Sequence, residues 1–304
     1  MKSMTEPAAA NRSVAAQAKK RRKKEASTFW TVGPVTIWMI IFFLLPLLLV
    51  LGVSFFTRSV FGGIQPPLTL ENYVRFFDPL YFKILWISCV LAFTTTVICL
   101  VIGYPFAGII ARAPAKYRNI LLLLIIVPFW TNSLIRTYAW IVLLRTEGVI
   151  NTVLLKLGLI DQPLELLYNE TAVLIGLVYT MLPFMILPLY ASIEKLDRSL
   201  LEAAADLGAN SRQIFWRVTL PLTMPGIMAG SLLVFIPSLG LFFIPDLMGG
   251  SKTVLIGNLI KNQFLTARDW PFGSASSIIL MALTLLFITI YIFITKDKQG
   301  KGLV

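Results

Sequence analysis

Residues 199–226, SLLEAAADLGANSRQIFWRVTLPLTMPG, gather the side chains best placed to do chemistry in this chain, and the chemistry they suit is docking. Ser199 and Glu202 have capping-box spacing, so hydroxyl and carboxylate can satisfy orphan amides at a helix start. Leu200, Leu201, Ala204 and Leu207 then form a small apolar face, and Gly208 suits a helix C-terminus. A second start at Asn210 or Ser211 carries Ile214, Phe215 and Val218 on one side, with Pro221 and Pro225 expected to end it. Structured, charged residues between two apolar spans read as a surface offered to something in the aqueous phase.

Catalysis finds no comparable grouping. The chain has no histidine, which excludes Ser–His and Cys–His pairs. Cys89 and Cys99 fall in one apolar span and read as buried, inert thiols, so no metal constellation is expected. Gly250-Ser251-Lys252-Thr253 superficially suggests a phosphate loop but lacks the glycine before the lysine and the upstream glycine. The chain is therefore expected to bind no cofactor and to hydrolyse no ATP, leaving energy to a partner or an ion gradient. An ion-coupled carrier needs ionisable residues at membrane depth. Only Arg136 is interior, and it reads as snorkelling from the outer end of its helix or pairing with a loop carboxylate.

The elements that must position these residues are apolar spans. The chain is 57% hydrophobic and 14% charged, with mean hydropathy +0.79. Residues 26–57, 84–111, 119–135 (continuing past Arg136 to 144), 171–193, 218–245 and 270–295 are free of charge otherwise, and each is long enough for a crossing helix. With the N-terminus inside, 18 of the 27 Lys and Arg fall on the inner side and 8 on the outer, with Arg136 within a span. That bias predicts an all-α membrane protein of six transmembrane helices, N-in and C-in, with 199–226 facing the cytoplasm. Residues 1–25, ending in KKRRKK, read as a disordered basic cytoplasmic tail, 26–295 as the membrane domain and 296–304 as a second tail. The +12 net charge falls almost entirely on the inner side, half of it in the tail, so membrane anchoring is the reading and nucleic acid is not an expected partner. The first span is far longer than a signal-peptide core and reads as a retained anchor. Outer loops 58–83, 145–170 and 246–269 suit short re-entrant or amphipathic covers. Gly226 and Gly230 form a GxxxG that reads as bundle packing.

The 199–226 stretch resembles the EAA loop of bacterial ABC-importer permeases, whose pattern is E-A-A, three residues, G, nine residues, I-x-L-P. Here it reads Glu202-Ala203-Ala204, Gly208, then Val218-Thr219-Leu220-Pro221, with Val in place of Ile. Over about 35–295 the chain is similar to the polyamine (spermidine/putrescine) branch of that family. Phe77-Asp78-Pro79-Leu80-Tyr81-Phe82, VPFWTNSLIR at 127–136, GLVYTMLPFMILPLY at 176–190, DLMGG at 246–250 and RDWPFG at 268–273 carry the likeness. The resemblance implies a type I importer permease bundle in the bacterial plasma membrane. It also implies a second homologous permease, a homodimeric ATP-binding subunit holding ATP and Mg²⁺, and an extracytoplasmic polyamine-binding protein.

The resemblance further implies that the loop helix seats in a groove of the ATPase. Glu202 would be available to a basic residue there, and Leu201, Leu207 and Phe215 would act as apolar knobs. A polyamine pathway needs carboxylates for ammonium groups and aromatic faces for charge and stem. Asp246, after Phe242 and Phe243 at the outer end of span five, fits best, with Lys261 able to neutralise it as a gate that substrate competes with. Trp130, Tyr179, Phe184 and Trp270 are further aromatic candidates. The alternatives are a same-class permease for another organic cation, an opine or iron, an ion-coupled carrier, and a scaffold that recruits a cytoplasmic protein.

Overall fold

The apolar runs become helices whose ends are set by a few polar residues and prolines. The computed structural model describes residues 32–250 and 252–300. The expected tail over 1–25 and Ser251 of the 250–253 motif lie outside them. Among the described residues, six stretches are long and apolar enough to cross a membrane: Val32–Val53, Pro79–Arg112, Ser133–Lys156, Glu170–Glu194, Ser211–Gly240 and Trp270–Phe293. In chain order we label α1 (Val32–Val53), β1 (Thr57–Arg58), β2 (Ile64–Gln65), α2 (Glu71–Phe76), α3 (Pro79–Arg112) and α4 (Ala115–Ile126). There follow α5 (Ser133–Leu144), α6 (Val149–Lys156), α7 (Glu170–Glu194), α8 (Arg198–Asp206), α9 (Ser211–Gly240), α10 (Ile256–Leu265) and α11 (Trp270–Gly300).

The third span differs from its expected 119–144. α4 leads into a 3₁₀ turn, Val127–Trp130, and a new helix starts at Ser133. Pro128 removes a backbone donor and Asn132 supplies a cap, its side chain accepting from Leu134 N at 2.8 Å. After a turn at 145–148, α6 extends this crossing-length stretch to Lys156. The last helix runs to Gly300, past the expected span end at 295.

Pro221 and Pro225 do not end the helix begun at Ser211. A π turn, Phe215–Thr219, in which Leu220 N donates to Phe215 O, precedes Pro221, and α9 continues through both prolines. The same device stands before Pro46, where the π turn Ile40–Leu44 is closed by Leu45 N donating to Ile40 O. A proline ring crowds the carbonyl four residues back and offers no N–H. Widening the preceding turn takes that carbonyl out of the ladder.

The core is the α3–α7–α9 trio. Cys99, Ala107 and Ile110 of α3 meet Met181, Met185 and Leu189 of α7 and Ile227 and Val234 of α9, all buried. Gly226 and Gly230 pack on α7: a Cβ at 226 would collide with Ser192 and the Pro188 carbonyl, and one at 230 with Met185. That is the packing reading of GxxxG. At the end of the bundle away from α8, a second cluster joins Leu91, Leu144, Leu177, Ile244, Met248 and Leu255. A third joins Phe76, Ile256, Leu259 and Phe272. The three loops at this end contribute the short helices α2, α6 and α10.

Candidate functional site

At one end of the bundle the α8 segment is built by its caps. Asp197 rather than Ser199 caps α8, its Oδ1 accepting from Ser199 N at 3.0 Å. The expected Ser199–Glu202 capping box does not form, because the helix begins earlier, at Arg198, and Ser199 lies in its first turn. A carboxylate there also complements the positive end of the helix dipole. The Ser199 amide in turn holds the Asp197 carboxyl below its ordinary value. Glu202 is left exposed, with no ion pair or side-chain hydrogen bond among the described residues. Gly208, at φ +82°, takes the left-handed conformation that closes a helix end. Asn210 and Gln213 then exchange reciprocal bonds of 2.9 and 3.0 Å as the capping box of α9.

The apolar side chains of this segment divide. Leu207 is 89% exposed, Leu201 is half-buried and Ala203 is exposed beside Glu202. Phe215 is not an outward knob: its ring stands edge-on to Tyr104 of α3 at 5.6 Å. The aromatic presented instead is Trp216, 59% exposed, which sequence reasoning missed because the π turn alters which residue faces out. A cleft of about 390 Å³ lies between α8 and α9, lined by Ala204, Leu207, Gly208, Gln213, Arg217 and Val218. Leu220 and Pro221 open the long α-helical part of α9 that follows the π turn. One turn on, Tyr104 Oη and the buried Thr223 Oγ1 share a hydrogen bond of 2.9 Å.

At the opposite end, α9 stops at Gly240 and the chain re-enters a π turn, Pro245–Gly249, that carries Asp246. Lys261 Nζ, from α10, lies 2.5 Å from Asp246 Oδ2. The pair expected from sequence is thus made. Phe242 is exposed beside it, whereas Phe243 packs into the second core cluster. Tyr179 and Phe184 belong to another group: Phe129 meets Phe184 at 5.1 Å, Trp140 meets Tyr179 at 5.5 Å, and the Arg136 guanidinium lies over Phe129 and Tyr179. Trp130 is 79% exposed and joins neither group by a ring contact. Trp270 meets Phe264, at the corner of α10 and α11.

The expected environment of Arg136 is therefore corrected. It stands in the first turn of α5, over the rings of Phe129 and Tyr179, and makes no ion pair among the described residues. The charged cluster of RDWPFG also has a structural use. Asp269, 1% exposed, pairs with Arg75 of α2 at 2.8 Å and accepts from Phe272 N at 3.2 Å. Arg75 covers the Phe272 ring at 4.1 Å and donates to Tyr81 Oη at 3.2 Å. The segments 77–82 and 268–273 thus meet as one latch between the start of α3 and the start of α11. Among the described residues, no group of His, Cys, Asp or Glu is placed to hold a metal ion.

Comparison with known proteins places this geometry. Residues 103–296 match the family described as "Binding-protein-dependent transport system inner membrane component". The chain is 54% identical over 270 residues to the "Spermidine/putrescine transport system permease protein PotB" of Salmonella typhimurium (strain SL1344), covering 88% of this chain and 94% of that protein. The Escherichia coli (strain K12) protein of the same name is 54% identical over 254 residues, covering 84% and 92%. Among solved structures, a chain of a bacterial ABC transporter involved in import of the acidic polysaccharide alginate superposes with TM-score 0.75. It shares 19% identity and is covered over 99% of its length and 92% of this chain, which establishes the fold. The chain belongs to the family of binding-protein-dependent transport system inner membrane components, the ABC-importer permeases, as a multi-pass protein of the inner membrane.

Proposed function

We propose that this permease passes polyamines of the spermidine/putrescine class across the bacterial plasma membrane. It would act beside a second permease, with ATP and Mg²⁺ held on a separate ATPase dimer and cargo delivered by an extracytoplasmic binding protein. The observation that carries this reading is the Asp246–Lys261 pair, a carboxylate held by the chain's own ammonium group just beyond the end of the helix that starts in the α8–α9 segment. The names of the relatives at 54% identity point to the same cargo.

The mechanism follows from continuity. α9 is one element from Ser211 to Gly240, so a displacement of the α8–α9 segment by the ATPase is transmitted along α9 toward Asp246. Exposed Glu202, Leu207 and Trp216 are the groups available to an ATPase groove, and the Tyr104–Thr223 bond carries the motion into α3. An incoming alkylammonium group competes with Lys261 for Asp246, with exposed Phe242 beside it for the methylene stem. The positive-inside bias sets the α8–α9 segment in the cytoplasm and Asp246 on the outer side.

The test is ATP-dependent uptake of labelled spermidine into proteoliposomes holding this chain, its second permease and its ATPase, with binding protein on the donor side. Glu202→Ala is expected to weaken ATPase binding and uptake together, and Asp246→Asn to lose uptake with ATPase binding intact. An assembled, ATP-hydrolysing wild-type complex that moves no spermidine would discard polyamine as cargo.

A further inference from the structure

A guanidinium at membrane depth is costly and ordinarily finds a carboxylate. Arg136 has none. None of the three ion pairs among the described residues includes it, and its Nε is buried with no hydrogen-bond partner. Its Cζ instead lies 5.3 Å from the centre of the Phe129 ring and 5.9 Å from that of Tyr179. Each ring is backed by another, Phe129 by Phe184 at 5.1 Å and Tyr179 by Trp140 at 5.5 Å. The level is well inside the bundle, since Tyr179 is nine residues into α7, or ~13 Å by helical rise.

Two rings against one cation, each backed by a further ring, form a cation site filled by the chain itself. We infer that the cleft between Phe129 and Tyr179 is a second site for alkylammonium groups. Arg136 is its resident occupant, which substrate must displace, and so a specificity-determining residue that keeps the cleft closed to free cation passage. This inference rests on the polyamine reading above and extends it to the α5–α7 cleft.

Three observations carry the inference. Aromatic faces attract guanidinium and alkylammonium groups by the same quadrupole interaction, so one cation can replace the other. No salt bridge among the described residues anchors Arg136, and its unsatisfied Nε marks a resting arrangement that is not deeply stabilised. The cleft is also connected to the Asp246 turn. Trp140 and Leu144 follow Arg136 along α5 at intervals of four, and Leu144 packs with Ile244 and Met248 on either side of Asp246. A substrate with two or more charges on one methylene chain can thus exchange with Lys261 at Asp246 and with Arg136 in the cleft.

The experiment uses the assembled importer in proteoliposomes preloaded with labelled spermidine and a neutral solute of similar size, without ATP or binding protein. Arg136→Gln and Arg136→Met should raise passive spermidine efflux several-fold, with the neutral solute retained, while Arg136→Lys stays closed. Efflux at the wild-type level in both uncharged variants would overturn the inference, as would equal leakage of the neutral solute. Failure of the uncharged variants to assemble would overturn it too, because the charge would then be required by a carboxylate of the second permease. ATP-driven uptake by wild type in the same vesicles reads the cargo assignment separately. The efflux arm needs neither ATP nor binding protein, so it reads Arg136 whichever way uptake falls.

Discussion

Tyr104 Oη and Thr223 Oγ1 lie 2.9 Å apart, tying α3 to α9 immediately past the π turn that follows the α8–α9 caps. Phe215 stands edge-on to the same tyrosine ring, so one side chain receives both contacts from the loop side. Tyr104→Phe removes a single bond, and the Thr223 hydroxyl keeps Thr219 O at 2.8 Å. The expected loss is about 0.5–1.5 kcal/mol. Tyr104→Ala removes ring and bond together and should uncouple the complex, with ATP hydrolysis retained and uptake per ATP strongly reduced. Measuring both rates in the same vesicles checks this.

The Asp246–Lys261 pair is partly exposed on both sides, so its contribution to stability is small, on the order of 1 kcal/mol or less. A charge-swapped double variant, Asp246→Lys with Lys261→Asp, should therefore unfold at nearly the wild-type temperature yet fail in spermidine uptake. Restored uptake would assign the pair a purely structural role.

Gly226 and Gly230 both face α7, but their neighbours differ in what can yield. A Cβ at 226 would sit 2.7 Å from the Pro188 carbonyl oxygen, while one at 230 would first meet the Met185 sulfur at 2.8 Å. Backbone cannot move as a thioether can. Gly226→Ala should cost about 1–3 kcal/mol, with Gly230→Ala below it, read as thermal unfolding in detergent.

Asp197 sets the pH behaviour of the α8 cap. Its carboxyl is held below its ordinary value of 3.8 by the Ser199 amide, so the cap's contribution is fully present above that value and is lost only as pH falls through the lower folded one. ATPase-subunit binding should be flat across the neutral range as far as this cap is concerned. Asp197→Ala should raise amide exchange at Ser199 at neutral pH, and Asp197→Asn should raise it less.

Asp269 is buried and Arg75 is its partner, so Arg75→Ala strands a carboxylate. Because the arginine is itself 43% exposed, the cost should fall near the low end of the range for a broken buried pair, about 3 kcal/mol. The double variant Arg75→Ala with Asp269→Asn should recover much of it. Thermal unfolding of the three proteins decides.

Much of this was legible from the chain. Charge-free runs locate five of the six crossing stretches closely, and the Glu202–Gly208–Pro221 spacing locates the capped segment between α7 and α9 that is proposed to dock. Asp246 and Lys261, fifteen residues apart, with one on the turn after α9 and the other on the short helix α10, are readable as a pair. The start of α8 was misread because Asp197 and Ser199 are both competent caps within one turn, and local spacing does not rank them.

What the sequence by itself determined is the partition of segments between lipid and water, because transfer into a bilayer is a sum over a window of about 20 residues. It also determined the local punctuation at Gly208 and Asn210. Only the tertiary structure decided that Phe215 turns onto Tyr104 and leaves Trp216 outward, and that α9 passes through Pro221 on a widened turn. It alone showed Arg75 reaching Asp269, and Arg136 resting between Phe129 and Tyr179 with no carboxylate partner among the described residues. These contacts join residues on different elements, and close packing of whole helix faces selects them, a property that no local window contains.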